Sequence, residues 1–181
     1  MVSSSSVATN AGSIRIIDVK KSVFSWTGRK LTGTHHGAIQ AVMGNIVICD
    51  GSPCGGTVKM DMTSITNADL KKSEWREKLL SHLRSVDFFD VAKYPASQFT
   101  IKSCKREVEI KCIGSLEIKG VQHDATVVGH WADEHLKGSL IFDRSKYGIV
   151  FRSLLAPVGY AVDQLILDEV QIDFDIPMSV L

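Results

Sequence analysis

The densest group of side chains able to do chemistry is the run 81–87, which leads directly into Phe88 and Phe89. Its imidazole (His82), guanidinium (Arg84) and carboxylate (Asp87) could lie at the mouth of an apolar cavity and orient a polar head group by hydrogen bonds. The same run could instead be a helix C-terminus, where the helix dipole stabilises Arg84 and the two phenylalanines fill the core. Spacing alone favours this second interpretation.

The remaining histidines and the cysteines show no spacing typical of a site. His35 and His36 are adjacent on a predicted strand, so their side chains point to opposite faces and cannot both bind one interior ion. The sequence contains no phosphate-binding loop, dinucleotide-binding, nucleophile-elbow or zinc-protease motif. We therefore predict no metal and no catalytic residue. Four cysteines lack zinc-site spacing and are interpreted as reduced thiols: Cys49, Cys54, Cys104 and Cys112.

The elements that must position these residues are mostly strands. Apolar residues recur at every second position over most of the chain, which is typical of strands with one face in a core. Turn sequences at 50–56, 119–120 and 132–134 separate the runs and favour antiparallel hairpins. An all-β barrel or sandwich follows. The clearest alternation is that of Val170, Ile172, Phe174 and Ile176 with polar residues.

One segment has a different period. Between Asn67 and Arg84 the apolar residues are spaced close to 3.6, which predicts one amphipathic helix over about residues 68–84. Asn67 or Asp69 could accept hydrogen bonds from the free amides of its first turn. The dipeptide Tyr94-Pro95 would then close the connection to the next strand.

Composition limits the function classes. The 181 residues and 19.9 kDa favour one domain, which we place at 14–181, after a disordered tail at 1–13. With 21 basic and 20 acidic residues, the net charge of +1 argues against a nucleic-acid partner. No apolar run is long enough to span a membrane, and residues 1–13 do not resemble a secretory signal. We therefore predict a cytoplasmic location, or a periplasmic one if a signal has been removed.

The interior of the predicted barrel could be filled or hollow. A barrel of eight strands either packs its interior with side chains or holds one small ligand, and periodicity does not distinguish the two. Six aromatic residues on apolar runs would line that interior: Phe24, Trp26, Phe99, Phe142, Phe151 and Phe174.

A resemblance adds to this interpretation. The stretch 82–95, HLRSVDFFDVAKYP, followed by Phe99, resembles the signature of the YceI-like family. The similarity covers about residues 14–178, nearly the whole chain. Further family-like pieces keep the family's order at 16–18, 22–26, 56–61, 114–121, 142–149 and 168–172.

The resemblance implies a lipocalin-like, antiparallel eight-stranded barrel with one helix packed beside it and an apolar tunnel inside. It implies that the protein carries or sequesters a polyisoprenoid, an isoprenoid quinone or a similar lipid, that it is no enzyme, and that it has no cofactor apart from that lipid. A homodimer is compatible with it. The implied head-group residues are His82, Asp87, Arg29 and His35. The implied tunnel wall consists of Phe24, Trp26, Met60, Met62, Phe88, Phe89, Phe99 and Phe142.

Two other functions stay open at this point. A filled barrel would make the chain an interaction or structural module whose surface does the work. An enzyme acting on such a lipid would use His82 and Asp87 as an acid–base pair, which requires both side chains within hydrogen-bond reach of a substrate atom.

Overall fold

The computed structural model describes residues 12–153, 161 and 164–178. The predicted tail at 1–13 therefore lies, except for its last two residues, outside the described residues. The helix α1 (Ser73–Arg84) lies between the fifth and sixth strands. The strands are β1 (Ser13–Ile16), β2 (Val23–Lys30), β3 (Gly33–Ala38), β4 (Gln40–Cys49), β5 (Ser52–Asp61), β6 (Ala96–Arg106), β7 (Ile110–Ile118), β8 (Val121–Ala132), β9 (His135–Asp143) and β10 (Ile166–Pro177).

All ten strands form one antiparallel sheet in the order β1-β4-β5-β6-β7-β8-β9-β10-β2-β3. Only Ile39 separates β3 from β4, so one run of chain pairs with β2 at its beginning and with β5 further along. The amide of Ile39 itself donates to the carbonyl of Phe24 on β2 at 3.1 Å. Because β3 is the last strand of the order and β4 is the second, this continuous run brings the two ends together, and the sheet curls round on itself like a barrel.

The predicted number of eight strands was wrong, whereas the all-β, barrel-like fold with a helix beside it is confirmed. Two local features produce the difference. The run 33–49 is interrupted at Ile39 and counts as two strands, and β1 adds a short strand that pairs with β4 alone. The strand pattern in the sequence contains no signal for the bend at Ile39.

The hairpin turns lie where the sequence places them. Asp50 and Gly51, which join β4 to β5, have φ values of 49° and 73°. Lys119 and Gly120, which join β7 to β8, have φ values of 53° and 72°. Positive φ at both central residues gives a turn whose twist matches that of the paired strands, and glycine and aspartate adopt it more readily than most residues.

The helix begins at Ser73, five residues later than predicted, and ends at Arg84 as predicted. The reason lies in two polar side chains that bind β3 instead of capping the helix. An oxygen of Asp69 accepts from the amide of His36 at 2.9 Å, and the amide group of Asn67 donates to the carbonyl of His36 at 3.1 Å. Lys72 precedes the helix without a side-chain cap.

Two sets of contacts hold α1 against the sheet. Leu80 and Leu83 are buried in the core, and the guanidinium of Arg84 donates to the carbonyls of Thr63 (3.3 Å) and Ile65 (3.0 Å) in the segment after β5. The helix therefore covers the end of the barrel where β5 finishes. Among the described residues, no helix combines the length and apolar character that crossing a membrane requires.

The prediction of reduced thiols was also wrong, because the four cysteines form the disulfides Cys49–Cys54 and Cys104–Cys112. Each bridge closes a hairpin. Cys49 and Cys54 flank the turn between β4 and β5, and Cys104 is the direct partner of Cys112 across β6 and β7. These pairs depend on strand register, which spacing along the sequence does not show.

Candidate ligand cavity

The curled sheet encloses a cavity of about 780 Å³. Its wall is made by the inward residues of the strands, which alternate with outward polar ones, and by α1 and the segment that follows it. The structure places all eight residues expected in the tunnel on this wall: Phe24, Trp26, Met60, Met62, Phe88, Phe89, Phe99 and Phe142. Aliphatic residues complete it, among them Ile46, Val58, Leu116, Val127, Leu140 and Ile172.

Two glycines allow aromatic rings to lie against the wall. A Cβ at Gly114 would come within 2.4 Å of Cζ of Phe99, and a Cβ at Gly138 within 2.6 Å of Cζ of Phe174. The rings of Phe99 and Phe174 therefore occupy the places that side chains at 114 and 138 would need. This packing keeps two large aromatic residues beside the cavity instead of across it.

Gly28, in contrast to these two glycines, is not covered by an aromatic ring. It faces the cavity on β2, and a Cβ built there meets only Trp26, at an ordinary distance of 3.9 Å. The neighbouring Trp26 ring is fixed, because its indole N–H donates to the carbonyl of Thr66 at 2.9 Å. Open volume therefore lies directly in front of Gly28.

We call the end of the barrel where β2 finishes and β10 begins the mouth. Helix α1 contributes Lys78, Leu79, His82 and Leu83 to the cavity lining there, at the spacing of one helical face. The His82 ring stands edge-on to Phe88 (4.9 Å between centroids) and to Phe151 (4.4 Å). His82 is thus the polar member of an aromatic cluster.

The four expected head-group residues do not all face the cavity. His35 and His82 line it, whereas Asp87 does not; its carboxylate is 55% exposed and lies 3.6 Å from Nε2 of His82. Arg29 lies at the rim, with Nη2 donating to Oε1 of Gln171 at 3.0 Å. Arg29 starts on the outer face of β2, next to the inward Gly28, and reaches the cavity lining only at the rim.

His35 forms the best-defined polar contact at the mouth. Its Nδ1 lies 2.7 Å from Oδ2 of Asp69, a carboxylate that is 19% exposed. Burial alone would raise the pKa of Asp69, but hydrogen bonds from the His36 amide, His35 and Asn67, together with the charge of His35, lower it to about 2. Asp69 therefore fastens the segment before α1 to β3 in its ionised form.

We expect Asp69→Asn to remove stability that depends on pH. A carboxyl whose pKa is lower in the folded protein than in the unfolded chain stabilises the folded state at pH values above its unfolded pKa. This stabilisation is lost as the pH falls through the pKa of the folded state. In urea unfolding, the free energy of unfolding of the wild type should therefore exceed that of the variant by about 2 kcal/mol at pH 6. This difference should disappear between about pH 4 and pH 2.

The matched control for this experiment is Asp124→Asn, which removes an exposed carboxylate that pairs with Lys102. An exposed ion pair contributes little, so this variant should unfold like the wild type at every pH. A gap between wild type and Asp69→Asn that stays constant from pH 6 to pH 2 would contradict the assigned role of Asp69.

The sequence did not indicate Arg144, the most buried charge in the described chain at 2% exposure. Its guanidinium lies 3.1 Å from Oδ1 of Asp168 and 5.7 Å from the ring centre of Phe88, beside the cavity. Burial lowers the pKa of Arg144, while Asp168 and Asp143 oppose that shift. It donates to four main-chain carbonyls, those of Ile149 (2.9 Å), Ile166 (3.0 Å), Phe151 (3.1 Å) and Leu167 (3.3 Å).

Other residues of the lining that were missed are Lys30, Lys78, Arg152 and Gln164. For two of these residues the sequence contains a pattern that could have assigned them to the lining. Lys30 has the same strand parity as Trp26 and Gly28, and Lys78 lies one helical turn before His82. Arg152 and Gln164 belong to irregular segments, for which neither period gives a direction.

Together these features define a β-barrel-like protein built around an apolar cavity with a polar mouth. Residues 16–178 match the model of the YceI-like domain, so the chain belongs to the YceI-like family. The resemblance seen in the sequence is confirmed.

Individual relatives are more distant. Protein YceI of Escherichia coli O157:H7 is 31% identical over 93 residues, 51% of this chain and 46% of that protein. Protein YceI of Shigella sonnei (strain Ss046) gives the same values. The matched region thus spans about half the length of these curated relatives.

Solved structures share the fold. The crystal structure of Burkholderia cenocepacia BcnA is 20% identical, with a TM-score of 0.64 over 88% of this chain and 98% of that chain. The Campylobacter jejuni YCEI protein is also 20% identical, with a TM-score of 0.50 over 68% of this chain and 71% of that one. At such identities the similarity shows the fold alone.

Proposed function

We propose that the protein binds a long-chain apolar ligand, such as a polyisoprenoid or an isoprenoid quinone, and carries or sequesters it in the cavity. The observation that carries this proposal is the volume of about 780 Å³ behind an almost continuous apolar wall. Ligand sites for molecules of this size are typically apolar cavities of 300–1,000 Å³ with a few polar groups at one place. Membership of the YceI-like family agrees with the proposal.

The energy available is sufficient for useful affinity. Burial of about 400 Å² of apolar ligand surface would contribute on the order of 10 kcal/mol. Ordering the chain and losing its translational freedom offset several kcal/mol of this, which leaves an affinity near micromolar or tighter. An apolar wall selects mainly by length and width, so we expect ligands of similar shape to compete.

The two other functions have less support. The filled barrel is disfavoured by the cavity itself. For catalysis, His82 and Asp87 would have to act together on a bound molecule, yet Asp87 lies outside the lining and the His82 ring packs edge-on against Phe88 and Phe151. We therefore propose binding without chemical conversion.

The disulfides bear on location. The cytoplasmic expectation rested on residues 1–13, which do not resemble a secretory signal, and on reduced thiols; the two bridges remove the second reason. Stable disulfides form in oxidising compartments such as the periplasm or the exterior. We propose that the chain folds in such a compartment.

The proposal is tested on protein purified from cells without delipidation. Native mass spectrometry should show one molecule of ligand per chain, and organic extraction should release a long-chain lipid identifiable by mass. An empty protein that also fails to take up a fluorescent long-chain probe would overturn the proposal. Unfolding the same sample before spraying provides the control, since it should release the extra mass.

A further inference from the structure

The cavity lining carries an unbalanced charge. Five lysine and arginine residues contribute to it, and among the described residues no aspartate or glutamate does. The whole chain, by contrast, has 21 basic and 20 acidic residues. The lining therefore has an excess of basic residues, although Arg144 is paired with Asp168 just outside it. The basic residues are Arg29, Lys30, Lys78, Arg144 and Arg152.

Contacts place these cations at the mouth. Lys30 is the strand partner of Ile166, whose amide donates to the carbonyl of Arg152 at 2.8 Å. Phe151, next to Arg152, contacts the ring of His82, and Lys78 precedes His82 by one helical turn. Lys30, Arg152 and Lys78 thus lie round one opening, while the rest of the wall is apolar.

Three carboxylates near the mouth already have basic partners. Asp69 lies 2.7 Å from His35, Asp87 lies 3.6 Å from His82, and Asp168 lies 3.1 Å from Arg144. Lys30 and Lys78, in contrast, form no ion pair with any carboxylate of the described residues. These two lysines therefore bring positive charge to the opening that no ion pair among the described residues offsets.

A positive opening above an apolar cavity favours one kind of ligand. Anions are concentrated at such an opening, and ammonium groups bind carboxylate or phosphate oxygens by charge-assisted hydrogen bonds. A neutral quinone or alcohol would gain none of this attraction. We propose that the ligand is an anionic amphiphile, whose carboxylate or phosphate head lies at Lys30 and Lys78 with its apolar chain inside. This inference rests on the proposed function and narrows it.

The test compares ligands that share one chain. Delipidated protein is titrated with tetradecanoate, tetradecyl phosphate and tetradecanol, with the change in tryptophan fluorescence as the signal, because Trp26, one of three tryptophans, lines the cavity. Both anions should bind about tenfold more tightly than the alcohol at low ionic strength. Salt should reduce this preference, since screening weakens attraction between partly exposed charges.

Substitutions test whether Lys30 and Lys78 cause the preference for anions over the alcohol. Lys30→Met combined with Lys78→Met should bring the ratio of anion to alcohol affinity close to one. Lys59→Met is the matched control, because Lys59 alternates with the inward Val58 and Met60 and so points outward. It should leave the ratio at its wild-type value.

The outcomes separate the two proposals. Equal binding of all three ligands would overturn the anionic ligand and leave the binding function intact. Failure of all three to bind would overturn both. Tight binding of tetradecanoate alone would identify a carboxylate head, and tight binding of tetradecyl phosphate alone a phosphate head. An anion preference that survives in the double variant would contradict the role of Lys30 and Lys78.

Discussion

Gly28→Leu is expected to weaken binding of long-chain ligands by about a hundredfold while leaving the protein as stable as the wild type. A leucine side chain at this position would enter the open volume in front of β2, where a Cβ meets only Trp26 at 3.9 Å. It would displace about four methylene-sized groups of ligand, each contributing about 0.8 kcal/mol. Competition with a fluorescent long-chain probe measures the affinity, and urea unfolding measures the stability.

Two controls accompany this variant. Gly28→Ala adds a single methyl group and should reduce affinity far less. Thr27→Leu places the same side chain on the outer face of the same strand and should leave affinity unchanged. A well-folded Gly28→Leu protein with wild-type affinity would show that the ligand does not occupy this cavity.

Arg144→Met is expected to cost about 3–5 kcal/mol of folding free energy, the largest loss predicted for a single substitution in this chain. The substitution leaves Asp168 without its 3.1 Å partner and removes the donor for four main-chain carbonyls. Those carbonyls belong to the segment after β9 and to the beginning of β10, which therefore lose their common attachment. A shift of the urea midpoint measures the loss.

Arg106→Met is the matched control, because Arg106 donates a hydrogen bond of 3.3 Å to the exposed carbonyl of Gly51. It should change stability by less than about 0.5 kcal/mol. If Arg144→Met does not fold, Asp168→Asn removes the negative charge alone and should still destabilise measurably. Wild-type midpoints for both variants would contradict the structural role of this pair.

The strict period of two explains why so much of the wall could be predicted. A side chain on a strand has only two directions, so Phe24 and Trp26 on β2, and Met60 on β5, could be assigned to one face from the sequence alone. Periodicity does not show whether such a face meets another side chain or empty space. The cavity therefore needed three-dimensional information, as did the open volume at Gly28.

Other features depend on partners far apart in the chain. Asn67 and Asp69 are residue types that commonly cap helices. In the structure their side chains form hydrogen bonds with the backbone of β3 instead, so α1 starts later than predicted. No pattern in the sequence distinguishes Arg144 from other charged residues, and Asp168 becomes its neighbour only in the folded chain. The cysteine pairs follow from strand register, for which the sequence carries no marker.

The two disulfides have a further consequence through their position. Both lie near hairpins at the end of the barrel opposite α1, where β4 meets β5 and β6 meets β7. The end next to α1 is held by non-covalent contacts alone, such as those of Arg84 and Asp69. Local opening should therefore be confined to one pole, and amide hydrogen exchange should be fastest there. A bound ligand would then enter and leave the cavity through the mouth, which is also where its head group is held.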